Sequence, residues 1–222
     1  MLDCELIIFD CDGVLVDTEP VTNRLLAECL TEVGWSITTE QSIETFKGRD
    51  LHVIRAEAEA HVGRELPELL PTYRRRMFEA FEREPIGLID GARELLDALD
   101  AAGTHLRCVA SNGPMNKMQA SLSSAGLIDR FQHAGESRIY SAYDVGVWKP
   151  EPGLFLHAAE RMGTGPGDAV VIEDSVSGVV AARRAGMRVV GLAGLTPAEK
   201  LEEAGATWVI TSLNEVLARF GG

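Results

Sequence analysis

The chain has 222 residues, 45% of them hydrophobic and 25% charged, enough for one large core or for a core with an inserted subdomain. With 21 basic residues against 34 acidic ones the formal net charge is −13, which argues against a nucleic-acid or anionic-membrane surface. The four cysteines (Cys4, Cys11, Cys29, Cys108) have neither CxxC pairing nor zinc spacing, and no run reaches membrane length, so a cytoplasmic protein with buried, reduced thiols is expected.

In chain order, short apolar runs at Leu6–Phe9, Leu106–Ala110, Ala169–Ile172, Val189–Leu192 and Trp208–Ile210 predict strands. Helical patterns at Gly91–Ala102, Met115–Ala125, Gly153–Met162, Ser177–Ala185 and Ala198–Ala204 alternate with them, and a last helix is expected over Leu213–Phe220. Such alternation implies right-handed crossovers and a parallel α/β sheet with helices on both faces. The stretch from Pro20 to about Pro85 breaks the rhythm. It holds helical periods at Thr22–Glu32, Leu51–Ala60 and Leu69–Phe81 and no convincing strand, so it reads as a helical insertion. In open parallel sheets ligands bind beyond the carboxyl ends of the strands, so the loops after Phe9, Ala110 and Ile172 are where chemistry is expected.

Asp10 and Asp12 follow the first strand with Gly13 behind them. The pattern suits a plain turn. It also suits a nucleophilic carboxylate beside a second carboxylate, both facing a divalent cation that offsets their charge. Ser111-Asn112-Gly113 ends the next strand and offers a hydroxyl, an amide and helix-start N–H groups to a phosphate, or merely a turn. Lys149, in Trp148-Lys149-Pro150-Glu151-Pro152, is either a solvated lysine or an ammonium aimed by its proline-rich backbone at Asp10 and a phosphoryl group. Glu173-Asp174-Ser175 closes another strand, where one residue caps the following helix and the acids offer hard oxygen ligands.

Taken in order, Asp10-x-Asp12-Gly13, Ser111-Asn112, Lys149-Pro150 and Glu173-Asp174-Ser175 resemble the four motifs of the haloacid dehalogenase superfamily, over essentially the whole chain. The resemblance implies a Rossmann-like core of residues 1–16 and 87–222 with a helical cap of residues 17–86. It implies Mg²⁺-dependent phosphoryl transfer with Asp10 as nucleophile and Asp12 as acid and base. Ser111, Asn112 and Lys149 would hold the phosphoryl group. Asp10, the main-chain carbonyl of Asp12, Glu173 and Asp174 would hold Mg²⁺, directly or through water. The second aspartate argues against carbon–halogen chemistry.

Within the superfamily the chain is similar to the subgroup of β-phosphoglucomutases and small sugar-phosphate phosphatases. Phe46-Lys47-Gly48-Arg49 resembles that subgroup's substrate loop, with Lys47, Gly48 and Arg49 meeting the substrate's remote group, while Thr18 and Glu19 would line the cap hinge. Two departures favour hydrolysis over mutase chemistry: Thr22 stands where the mutases carry a histidine, and Leu51 where they carry an arginine. Asn116-Lys117-Met118-Gln119 and Tyr143-Asp144, flanking the catalytic motifs, resemble the bacterial 6-phosphogluconate phosphatase branch. The expected protein is a monomeric phosphatase of small phosphate esters, with a phosphosugar or phosphosugar acid as substrate. A phosphosugar mutase, a phosphonatase using Lys47, and a non-catalytic binding protein are the alternatives.

Overall fold

A computed structural model describes residues 4–46 and 49–220. The chain divides into two compact units, Met1–Asp17 with Gly87–Gly222, and Thr18–Ile86.

The larger unit is built on six parallel strands: β1 (Leu6–Phe9), β2 (Leu106–Ser111), β3 (Ile139–Ser141), β4 (Ala169–Glu173), β5 (Arg188–Leu192) and β6 (Trp208–Ile210). Their spatial order is β6-β5-β4-β1-β2-β3. β1 is apolar at every position and fully buried, because both sheet faces are covered and a central parallel strand has no solvent side. Phe9 pairs with Val109 on one side and with Ile172 on the other, so the loops that follow β1, β2 and β4 leave the sheet next to one another. The order of connection reverses between β4 and β1, and a crevice opens at such a point. Five of the six strands were legible as apolar runs. β3 was not: Ile-Tyr-Ser is too short to show a period, and its register comes from pairing with Val109–Ser111.

Two elements around the sheet matter for the site. Helix α6 is the sixth along the chain, after four in the insertion and α5 (Ala92–Ala102). It spans Met115–Ser124 and starts just beyond the loop after β2. A two-residue antiparallel ribbon pairs Asp17 with Gly87 and Val16 with Leu88, so the chain leaves this unit and returns to it at facing residues.

The smaller unit consists of α1 (Glu19–Val33), α2 (Thr39–Phe46), α3 (Leu51–Val62) and α4 (Leu69–Arg83). Leu26, Leu30, Ile54, Leu70, Met77 and Phe81 are among its buried apolar residues. A buried polar chain links α1 to α2: Ser42 Oγ donates to Asn23 Oδ1 (3.0 Å), and Asn23 Nδ2 donates to the carbonyl of Glu19 (3.1 Å). Trp35 packs edge-on against Phe46 and stacks on His61, anchoring the end of α2.

The cysteine expectation needs one correction. Cys11, Cys29 and Cys108 are buried thiols, but Cys4, at the edge of β1, is only half-buried. No helix among the described residues is long and apolar enough to cross a membrane.

Candidate active site

At the carboxyl end of β1 the first loop begins with Asp10, whose amide donates to the Ile172 carbonyl (3.0 Å) and so carries the sheet ladder one residue further. Its carboxylate is nearly enclosed. Lys149 Nζ reaches it at 2.5 Å from Oδ1 and also lies 2.7 Å from Glu173 Oε1, with its ammonium 4.8 Å from the Phe155 ring centre. Burial pushes the Asp10 carboxyl up to about 7 against the pull of Lys149, and Glu173 and Asp12 push the same way. Burial alone would lower the Lys149 pKa, but the two carboxylates hold it above its ordinary value, so the ammonium stays charged.

Glu173 is fully committed. One oxygen takes Lys149; the other accepts from the Ser175 amide (2.7 Å) and hydroxyl (2.8 Å). Ser175 is the N-cap of the next helix, Val176–Arg184, its hydroxyl accepting from the Gly178 amide at 3.0 Å. Asp174 turns the other way, against the first loop. Gly13, at φ +82°, leaves the space it uses, since a β-carbon there would sit 2.2 Å from Asp174 Oδ2. Burial first, then Glu173 and Asp10, raises the Asp174 carboxyl to about 8.

The loop after β2 serves Lys149. Asn112 accepts from the Lys149 amide (2.9 Å) and donates to the Lys149 carbonyl (3.3 Å), fixing that residue's backbone from both sides. Ser111 is buried and its hydroxyl accepts from the Gly113 amide at 3.2 Å, while Ser141 Oγ donates to the Gly113 carbonyl at 2.7 Å. From the sequence Asn112 was expected as a phosphate ligand or as part of a turn; its two bonds to a residue 37 positions away are a tertiary fact with no local signal. Asp12 is half-buried and meets Lys117 of α6, 2.8 Å from Oδ2, a contact the sequence reading did not anticipate.

The remaining candidates belong to the smaller unit. Thr18 is buried at the start of α1 and its carbonyl accepts from the Thr22 amide. Glu19 takes the amide of Asn23 on both its carbonyl and its carboxylate. Arg49 is turned onto Glu57 and lies over the Phe46 ring, 5.8 Å from its centre. Lys47 and Gly48 lie outside the described residues.

The donor set fits a hard divalent cation. Asp10 and Asp174 are crowded carboxylates that hold protons well above their ordinary range, the state a cation would relieve, and Gly13 leaves room for one of them against the first loop. Among the described residues no three His, Cys, Asp or Glu side chains gather into a metal cluster, in keeping with Glu173 being spent on Lys149 and Ser175.

The model of the haloacid dehalogenase-like hydrolase family matches residues 7–192, which takes in all four site loops. The chain belongs to this family. It is 35% identical to the 6-phosphogluconate phosphatase of Escherichia coli (strain K12) over 187 residues, covering 83% of this chain and 80% of that one. A haloacid dehalogenase family hydrolase of Deinococcus radiodurans, solved with phosphate and sodium bound, superposes with a TM-score of 0.81 at 30% identity, covering 99% of this chain and 96% of that one. A β-phosphoglucomutase-like protein of Thermotoga maritima reaches a TM-score of 0.82 at 25% identity, covering 97% and 98%. Both structures share the Rossmann-like α/β fold of this haloacid dehalogenase-like chain.

Proposed function

We propose that the chain is a Mg²⁺-dependent phosphatase of small phosphorylated metabolites, with phosphosugars or phosphosugar acids as its substrates and 6-phosphogluconate as the first to try. The observation that carries this reading is the enclosure of Asp10 at the end of the central strand, one oxygen on a buried ammonium and a second acidic residue, Asp174, close by. The 6-phosphogluconate phosphatase relative supports the substrate class.

In this reading Lys149 holds Oδ1 of Asp10 and leaves Oδ2 to attack phosphorus. As the Asp10–phosphorus bond forms, the ester P–O bond breaks and the carboxyl of Asp12 gives its proton to the departing oxygen. The carboxylate of Asp12 then takes a proton from a water whose oxygen bonds to phosphorus, the Asp10–phosphorus bond breaks, and phosphate leaves. Ser111 and Lys149 hold the phosphoryl oxygens, with Asn112 keeping Lys149 in place. Asp10, Asp174 and the Asp12 carbonyl would hold Mg²⁺, with Glu173 acting through water or through Lys149. When bound, Mg²⁺ supplies neutralisation of the phosphate and of its own acidic ligands. Thr22, where the mutases carry a histidine, donates its hydroxyl to the Glu19 carbonyl of its own helix, which supports hydrolysis over transfer to a second hydroxyl.

Every core group named here comes from one unit of one chain, so a monomer would be complete for this chemistry; the buried thiols of Cys11, Cys29 and Cys108 support a reducing, cytoplasmic setting. The test is phosphate release from a panel of sugar phosphates, phosphosugar acids and nucleotides, with Mg²⁺ and after chelation. Turnover strongest on phosphosugars or their acids and abolished by EDTA is expected. Undiminished turnover after exhaustive chelation, or conversion to an isomeric phosphate without phosphate release, would overturn it.

A further inference from the structure

Lys117 is the third residue of α6, at the positive end of that helix. A cation there opposes the helix dipole, so local preference does not explain the choice. The tertiary structure does. Lys117 and Ser121 are four residues apart, on one face of α6, and that face meets the first loop at consecutive residues. Ser121 Oγ lies 3.9 Å from the buried Cys11 Sγ, and Lys117 Nζ lies 2.8 Å from Asp12 Oδ2. The neighbouring Met118 is fully buried, which fixes the helix against the core. Lys117 and Asp12 are 23% and 29% exposed, so their pairing is shielded more than a surface ion pair.

We infer that Lys117 is a positioning residue for proton transfer: its ammonium tethers Oδ2 of Asp12 and so fixes the orientation of the carboxyl that exchanges a proton with the departing ester oxygen. This rests on the phosphatase reading above. The two acids of the first loop then have separate cations, Lys149 for Asp10 and Lys117 for Asp12, delivered by different loops. The helix that begins at the phosphoryl-binding edge also sets the acid–base group, so the two are held in register by one rigid element.

The test compares kcat/KM, which reports the first chemical step, for 6-phosphogluconate and for 2,4-dinitrophenyl phosphate, whose leaving group departs without a proton. Lys117→Met is expected to lower kcat/KM on the alkyl ester by about tenfold or more, a part of the ~10²–10⁴-fold such catalysis supplies, and on the aryl ester by no more than about twofold. Lys117→Arg should recover most of the loss, and the affinity of both variants for inorganic phosphate should match the wild type. Equal losses on the two esters, or no loss on the alkyl ester, would overturn the positioning role. A wild-type protein that released phosphate from neither ester would overturn the phosphatase reading, and this inference with it.

Discussion

The carboxyl carbon of Glu173 stands 1.9 Å from where a β-carbon on Gly178 would be. Helix residue 178 therefore has to be glycine if Glu173 is to fold back under the helix start. Glu173 cannot simply step aside, since its oxygens are bonded to Lys149, and to the amide and hydroxyl of Ser175. Gly178→Ala is expected to cost about 1–3 kcal/mol of stability by overpacking and to lower kcat by at least about tenfold as Lys149 loses its second carboxylate. Chemical denaturation and steady-state kinetics check this; a variant of wild-type stability and rate would show that Glu173 has another place to go.

Metal and pH are linked at Asp10 and Asp174. Both carboxyls are raised in the folded chain, to about 7 and about 8, from an ordinary value of 3.8. The folded state thus binds more protons than the unfolded one, and the stability this contributes is full below about pH 4 and lost as pH rises through 7 and 8. Mg²⁺ needs the deprotonated pair, so it should compensate for that loss. The rise in Tm produced by saturating Mg²⁺ over EDTA is expected to be larger at about pH 8.5 than at about pH 6, by a few degrees. Scanning calorimetry at the two pH values measures it, and an equal or smaller rise at the higher pH would contradict the assignment of these acids as ligands.

The two aspartates of the first loop should fail differently. Asp10→Asn is expected to remove measurable turnover, because an amide does not attack phosphorus and its bond to Lys149 loses one charge. Asp12→Asn should lower kcat by about 10²-fold or more while leaving Mg²⁺ affinity within a few-fold of wild type, since only its main-chain carbonyl is read as a ligand. Isothermal titration of Mg²⁺ beside turnover separates the two effects.

Asn112 offers a test of how Lys149 is held. Asn112→Ala removes a bond to the Lys149 amide and another to its carbonyl. A loss of about 1–3 kcal/mol in stability is expected, with a weaker grip on inorganic phosphate as competitive inhibitor. An unchanged inhibition constant would mean that the prolines around Lys149 fix it unaided.

What could be read from the residues was whatever is local. Leu6–Phe9 and Ala169–Ile172 announced themselves as buried parallel strands because four successive apolar residues suit a strand covered on both faces. Asp10, Lys149 and Asp174 were legible because each lies at a strand end or in a proline-bound loop. The partners were not legible. Lys117 meets Asp12 across 105 positions and Glu173 meets Lys149 across 24, distances over which spacing carries no signal. Arg49 was expected at the substrate from the resemblance of its loop; its contacts with Glu57, eight residues on, and with the Phe46 ring are not signalled by that resemblance.

Asp17 and Gly87, the last residue before the insertion and the first after it, are partners in a two-residue ribbon. Neighbouring strands run about 5 Å apart, a gap that a two-residue hairpin turn closes. Residues 18–86 are thus spliced into the larger unit at the place where a plain turn would serve. Whatever sequence occupies that splice, the strand register of the sheet and the loops bearing Asp10, Ser111, Lys149 and Asp174 are specified by residues outside it. The architecture is therefore modular in an evolutionary sense: the inserted segment can be exchanged as a block while the sheet and the loops at its carboxyl edge are inherited intact.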